Sequence, residues 1–231
     1  MKAVVKLSGS VFDDLDNYEY LKGASELFDK FVEEGNRLAI VVGGGKRARE
    51  VIELARKIGA TEDVLDELGI DVTRINAKIM ISSLRNSYPK VIENLREADV
   101  AFSFGKIPVA GGLSPGHSTN AVAALLAEHL KADIFINSTK AGGIFNKDPE
   151  KYPDAVLLEE VTVDDLKSLL KGSFKAGTYE LMDEVSLGII ERSRIKTVVV
   201  GTKISDLRKA LYSEKVGSLI VFERGRKEKK G

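Results

Sequence analysis

Two kinds of apolar pattern alternate along the chain. Short, almost wholly apolar runs rich in β-branched residues come first, AVVKL at 3–7 and RLAIVV at 37–42. Runs of that length and composition suit strands buried on both faces. Between them Leu21, Ala24, Phe28, Phe31 and Val32 return at helical spacing. KRAREVIELARKI (46–58) predicts a second helix. More helix is expected within 69–97, broken at Tyr88-Pro89, because a proline pushes the residue before it out of the α region. VAFSF (100–104) and IPVA (107–110) read as strands, AVAALLAEHL (121–130) as a buried helix, and ADIFINS (132–138) as a strand. Turn signals over 139–160 predict a hairpin. VTVDDLKSLLK (161–171) and ELMDEVSLGIIERS (180–193) read as helices. TVVVG (197–201), ISDLRKALY (204–212) and SLIVFE (218–223) then give strand, helix, strand. Such alternation predicts an α/β fold with a mainly parallel sheet covered on both faces. No internal repeat or low-complexity linker divides the chain, so one domain is expected, with two lobes meeting near 130–140.

Composition narrows the chemistry. Apolar residues make up 43% of the 231 positions, enough for a sizeable core. The absence of cysteine excludes disulfides, thiolate zinc sites and cysteine nucleophiles. MKAVVKLSGS is too short in apolar residues for a signal peptide, and no later run reaches the roughly 18 needed to span a membrane. A soluble, cytoplasmic protein is therefore expected. Charges balance at 35 acidic and 35 Lys or Arg residues, which speaks against general nucleic-acid binding and leaves a local basic pocket open. The basic end, ERGRKEKKG, reads as a frayed terminus.

Glycines mark where chemistry would sit. Ser8-Gly9-Ser10, Gly43-Gly44-Gly45, Gly111-Gly112 and Gly142-Gly143 each follow an expected strand. Ligands of open α/β sheets bind beyond the carboxyl ends of the strands. There bare backbone can approach a ligand, and helix N-termini offer unpaired N–H groups to anions. A phosphate site is the favoured reading, yet VVGGGKRARE is neither a P-loop nor a G-x-G-x-x-G fingerprint. Lys6 ends the first strand, where a buried ammonium needs a partner. Either it faces water from an edge strand or it aims a point charge at phosphate oxygens. Lys46 and Arg49 stand in the first turn of the second helix, where cations oppose the helix dipole; a bound anion would relieve that conflict, and a solvated face is the alternative.

Five segments carry a resemblance: KLSGS, VVGGGKRARE, LDELGIDVTRINA (65–77), GGLSPGHSTNAVAALLAEHLKAD (111–133) and AGTYELMDEVSLGIIERSRIK (176–196). In this order they resemble the amino-acid-kinase superfamily and, within it, the archaeal uridylate (UMP) kinases. The resemblance implies an αβα sandwich of the carbamate-kinase-like type. It implies phosphoryl transfer from ATP to UMP with Mg2+, a homohexamer built from dimers, and UTP as a competing ligand. Residues from about 1–131 would hold UMP and 132–231 would hold ATP. Lys6 matches the catalytic lysine. Gly9, Ser10, Gly45, Arg49, Thr139, Phe145 and Asp148 match the ATP side. Gly44, Asp66 and the loop Ser114, Pro115, Gly116, His117, Ser118, Thr119 and Asn120 match the UMP side.

Four positions depart from the family pattern. TKAGGIF (139–145) stands where relatives usually read T-N-V-D-G-[VI]-Y, so Gly142 lacks a carboxylate, Phe145 lacks a hydroxyl and Lys140 adds a cation. Asn120 stands where many superfamily members carry a lysine-orienting Asp. Two other readings stay open at this point. One is a kinase of the same fold with another acceptor, such as isopentenyl phosphate or an amino-acid carboxylate. The other is a nucleotide-binding protein without turnover. His129, late in an apolar helix, reads as structural, and His117 as part of the acceptor loop.

Overall fold

The computed structural model describes residues 1–171 and 182–223. The whole AGTYEL signature (176–181), the start of the helix expected from 180, and the basic end from 224 lie outside the described residues. The elements alternate as the apolar pattern predicts. Strand β1 (Lys2–Leu7) is followed by helix α1 (Tyr18–Glu33), and β2 (Arg37–Val42) by α2 (Gly45–Lys57) and α3 (Glu62–Ser83). Then come β3 (Ser87–Ile92), α4 (Leu95–Ser103), β4 (Ile107–Ala110), α5 (Thr119–His129) and β5 (Ile134–Ser138). The remainder is β6 (Glu160–Thr162), α6 (Val163–Lys171), α7 (Glu184–Ser193), β7 (Thr197–Val200), α8 (Ile204–Leu211) and β8 (Ser218–Val221).

Eight strands form one sheet in the order β3-β4-β2-β1-β5-β7-β8-β6. Every pairing is parallel except β7 with β8. Successive strand residues point to opposite faces, and the core divides accordingly. Ala3, Val5 and Leu7 join Phe28 and Phe31 of α1, Met80 of α3 and Leu207 of α8. Val4, Ala39 and Val41 join Phe102 of α4, Leu126 of α5 and Ile190 of α7. The result is a three-layer αβα sandwich. Because the central strands run parallel, the ends of β1, β2, β4, β5 and β7 share one edge. Register places Leu7 beside Val42, Val41 beside Ala110, Lys6 beside Asn137 and Ser138 beside Val200.

Local expectations fail in three places. VAFSF is no strand but the end of α4: Asn94 caps that helix through Glu97 N–H, and Ala98, Ala101 and Phe102 are buried at helical spacing while Val100 and Phe104 face solvent. Its β-branched and aromatic composition misled, since a single buried face decides the element. Residues 87–92 are not a broken helix but the edge strand β3. Pro89 is tolerated there because β3 pairs on one side only, with β4, across a register shift between Ser87 and Val91. The hairpin expected over 139–160 shrinks to one antiparallel bridge, Phe145 to Leu157.

Candidate active site

A cavity of about 380 Å3 opens at the shared strand-end edge. Its walls come from the end of β1, the start of α2, one face of α3, the loop before α5, the first turn of α5, and Met182-Asp183 ahead of α7. Lys6 sits in the middle of the sheet and is only 8% exposed. By strand alternation it shares the face of Val4, the face covered by α5. A buried ammonium is costly unless something polar receives it. Lys6 also lines the cavity.

Glycines form the floor because backbone meets backbone. A Cβ on Gly9 would stand 2.0 Å from Gly45 N and 2.7 Å from Gly43 C. Gly45 adopts a left-handed conformation at φ +68°, and a Cβ there would stand 2.4 Å from Asp13 Oδ1. That same oxygen accepts the Lys46 N–H at 2.7 Å, so Asp13 closes part of the N-terminus of α2. Beside it lie the Arg49 side chain and the apolar Ala48 and Ile52.

The loop before α5 is held at several points. Gly116 N–H donates to Asp66 Oδ2 at 2.8 Å, and Gly112 N–H donates to Thr73 Oγ1 at 2.7 Å. Ser114 Oγ and His117 Nδ1 are 3.2 Å apart. Ser118 caps α5, accepting the Ala121 N–H at 3.1 Å, and donates to Asp183 Oδ2. Asp183 in turn caps α7, its Oδ1 accepting the Ser186 N–H at 2.9 Å. Asn120, in the first turn of α5, is 8% exposed, and its Oδ1 has no hydrogen-bond partner. A buried polar atom in that state calls for an explanation, and on a cavity wall a ligand donor supplies one. Both cavity carboxylates, Asp66 and Asp183, are engaged by backbone or hydroxyl donors, while Lys6 and Arg49 bring positive charge. The arrangement suits an anion flanked by hydroxyl groups.

Residues 1–201 match the family model described as the amino acid kinase family. The chain belongs to the amino acid kinase family. Among its relatives, a uridylate kinase of Methanothermobacter thermautotrophicus is 41% identical over 226 residues, covering 96% of this chain and 100% of its own. A uridylate kinase of Sulfolobus acidocaldarius is 41% identical over 228 residues, with the same shares. In three dimensions the chain is similar to the crystal structure of uridylate kinase from Archaeoglobus fulgidus. That structure has a TM-score of 0.86 and 37% identity, and the match covers 96% of this chain and 100% of that one.

Within this amino acid kinase fold, the residues singled out by sequence separate into groups. Lys6, Gly44, Gly45, Arg49, Asp66, Ser114, Pro115, Gly116, His117, Ser118, Thr119 and Asn120 line the one cavity. Gly45 and Arg49, assigned to the donor side by resemblance, thus share walls with the acceptor set. Gly9 lies against Gly43 and Gly45 beneath the lining, and Ser10 Oγ pairs with Ser8 Oγ at 2.8 Å. Thr139, Phe145 and Asp148 do not line the cavity. Thr139 N–H donates to Val200 O at 2.9 Å, beside the end of β7. Phe145 forms the bridge to Leu157. Asp148 is buried in its own turn, accepting the Glu150 N–H at 3.0 Å and lying 3.5 Å from Lys151 Nζ. Outside the cavity, His129 Nε2 lies 2.7 Å from Asp99 Oδ2, joining α5 to α4. Residue-by-residue reading passed over Gly69, Ile70, Thr73, Met182 and Asp183. A signal existed for most of them: Asp66, Gly69, Ile70 and Thr73 repeat at helical spacing, and Asp183-x-x-Ser186 has the form of a capping box.

Proposed function

We propose that the protein transfers the γ-phosphoryl group of ATP to UMP, giving ADP and UDP. The observation that carries this reading is the cavity itself, in which the buried Lys6 faces the glycine backbone of α2 and the loop held by Asp66. Full-length likeness to proteins named uridylate kinase supports the choice of acceptor. In the transfer, an oxygen of the UMP phosphate attacks the γ-phosphorus. The new O–P bond forms as the bond to the β-phosphate oxygen breaks, and ADP leaves with that electron pair. The acceptor is already an anion, so no proton has to be removed from it. Catalysis is then positioning and charge neutralisation. Lys6 places a fixed cation where charge spreads over the transferred group. Asp66 can exchange its hold on Gly116 for the ribose hydroxyls, since a carboxylate accepts from both.

Mg2+ is part of the proposal as the partner of ATP, whose phosphate charge it neutralises when bound. Among the described residues no group of three or more His, Asp or Glu side chains could hold a metal. A homohexamer, inhibition by UTP and a cytoplasmic role in pyrimidine nucleotide supply belong to the same proposal. Sequence resemblance alone supports them. Among the described residues no helix is long and apolar enough to cross a membrane.

The test is ADP release from ATP with UMP, CMP, AMP and isopentenyl phosphate offered in turn. Preference for UMP is expected. Preference for isopentenyl phosphate would replace the acceptor, and nucleotide binding without ADP release from any of them would remove the kinase reading.

A further inference from the structure

Helix α3 carries a motif whose signature residues the reaction does not use. Of LDELGIDVTRINA only Asp66 has a proposed contact with substrate, yet the polar Thr73 and Asn76 are both buried, at 6% and 1% exposure. Thr73 touches both glycine loops. Its hydroxyl donates to Ile70 O at 2.6 Å, which turns a lone pair toward the Gly112 N–H 2.7 Å away. Its methyl Cγ2 would stand 3.4 Å from a Cβ on Gly44. Gly111 presses on the same residue so closely that a Cβ there would stand 2.4 Å from Thr73 Oγ1 and 2.8 Å from its carbonyl carbon. One turn on, Asn76 Nδ2 donates to Gly43 O at 2.8 Å and lies 3.5 Å from Gly44 O.

These contacts have a geometric consequence. A trans peptide holds its C=O and N–H antiparallel. Drawing the Gly43 carbonyl onto Asn76 therefore turns the Gly44 N–H away from Asn76, and Gly44 lines the cavity while Asn76 does not. The N–H groups at the start of a helix have no intrahelical partner and are the ones an anion meets. At α2, Lys46 N–H is already taken by Asp13 and Gly43 N–H by Leu7 O, which leaves the Gly44 and Gly45 N–H groups to be aimed.

We propose that Thr73 and Asn76 are positioning residues. Together they set the separation of the Gly43–Gly45 and Gly111–Gly112 loops and the direction of the Gly44 peptide, and so the fit of the acceptor's phosphate. This rests on the uridylate kinase reading given above. Neither residue takes part in the chemical step; Asn76 acts through backbone that meets the ligand, and Thr73, which also lines the cavity, acts through the Gly112 N–H and its packing on Gly44.

The test measures UMP binding by calorimetry and ADP release at saturating ATP. Wild-type protein is measured first, so that failure to use UMP at all is scored against the kinase reading and not against α3. Thr73→Val keeps the shape and removes the acceptor for Gly112; it should raise both the Kd and the KM for UMP about tenfold or more while kcat stays within about threefold. Thr73→Ser keeps the hydroxyl and should restore the KM to within about threefold of wild type. Asn76→Asp replaces the donor facing Gly43 O at constant size and should raise the KM in the same way, which keeps the test alive if Thr73→Val does not fold. An unchanged UMP KM in the folded variants overturns the proposal. So does a fall in kcat at unchanged KM, which would place Thr73 in the chemical step, and so does a Thr73→Ser variant as impaired as Thr73→Val.

Discussion

The two halves of the strand-end edge carry the same sequence signal, paired glycines after a strand, and build different things from it. On the β1–β2–β4 side the glycines are there for want of room. Gly9 meets Gly43 and Gly45, and Gly111 meets Thr73, at distances no Cβ could occupy. Backbone from two loops is gripped from one side by Asp66, Thr73 and Asn76 of α3, and a cavity remains in front of it. On the β5–β7 side Gly142 has φ +86° with only Gly201 Cα near, at 3.9 Å, so that glycine serves the turn. The segment after it looks inward. Ile144 N–H donates to Ser218 Oγ, Leu158 N–H returns to Ile144 O, and Lys140 pairs with Glu150. Crowding by a rigid helix shapes the first side, whereas the second is held by a turn whose polar groups satisfy one another.

Lys6→Ala should have the largest effect. Turnover should fall by orders of magnitude with UMP affinity nearly intact, because the charge acts on the transferred group and little on the bound acceptor. Activity within about tenfold of wild type would take Lys6 out of the chemical step. The glycine contrast comes next. Gly111→Ala must push Thr73 aside, at a cost of about 1–3 kcal/mol or more, and should raise the UMP KM about tenfold. Gly142→Ala meets only the left-handed penalty of about 1–2 kcal/mol, and should move UMP affinity by less than about threefold. Thermal melts and UMP titrations of the two variants side by side check this, and equal UMP affinities would erase the distinction between the two halves. Asp66→Asn should raise the UMP KM with a smaller change in saturated turnover, checked by steady-state kinetics. An unchanged KM would reduce Asp66 to a tether for Gly116.

The smallest expected effect lies away from the cavity. Arg192 donates to both oxygens of Glu128, at 2.8 and 2.5 Å, fastening α7 to α5. That hydrogen bond holds the Glu128 carboxyl below its usual value. A lowered carboxyl pKa contributes stability above the ordinary glutamate range, and the contribution is lost as pH falls through the folded-state value. Glu128→Gln should therefore lower Tm at pH 7 by about 1–3 °C. The difference from wild type should vanish in acid below the glutamate range, with the UMP KM unmoved throughout. A deficit that persists in acid would assign the effect to packing.

Much of the order of elements was legible, because buried strands and one-faced helices repeat at periods of two and 3.6 whatever surrounds them. The errors came where periodicity was weak and composition was read instead. VAFSF has strand-like residues but only one buried face, and SYPKVI contains a proline that only an edge position permits. The site was legible in outline, since glycines after strands and a lysine inside one are rare enough to notice. Thr73, Asn76 and Asp183 carried at most a local signal, helical spacing or a capping form, which does not tell of a site until a loop distant in sequence is laid against them. By itself the sequence determined an αβα alternation, a candidate site at the strand ends and membership of a kinase family, all carried by local periodicity and contiguous motifs. Only the tertiary structure decided that Lys6 belongs to a central strand and opens into the cavity, that Gly45 and Arg49 share walls with the acceptor loop, and that α3 holds the glycine loops apart. Those outcomes depend on which strands become neighbours and how closely backbones approach, and both follow from packing across residues 30 or more positions apart.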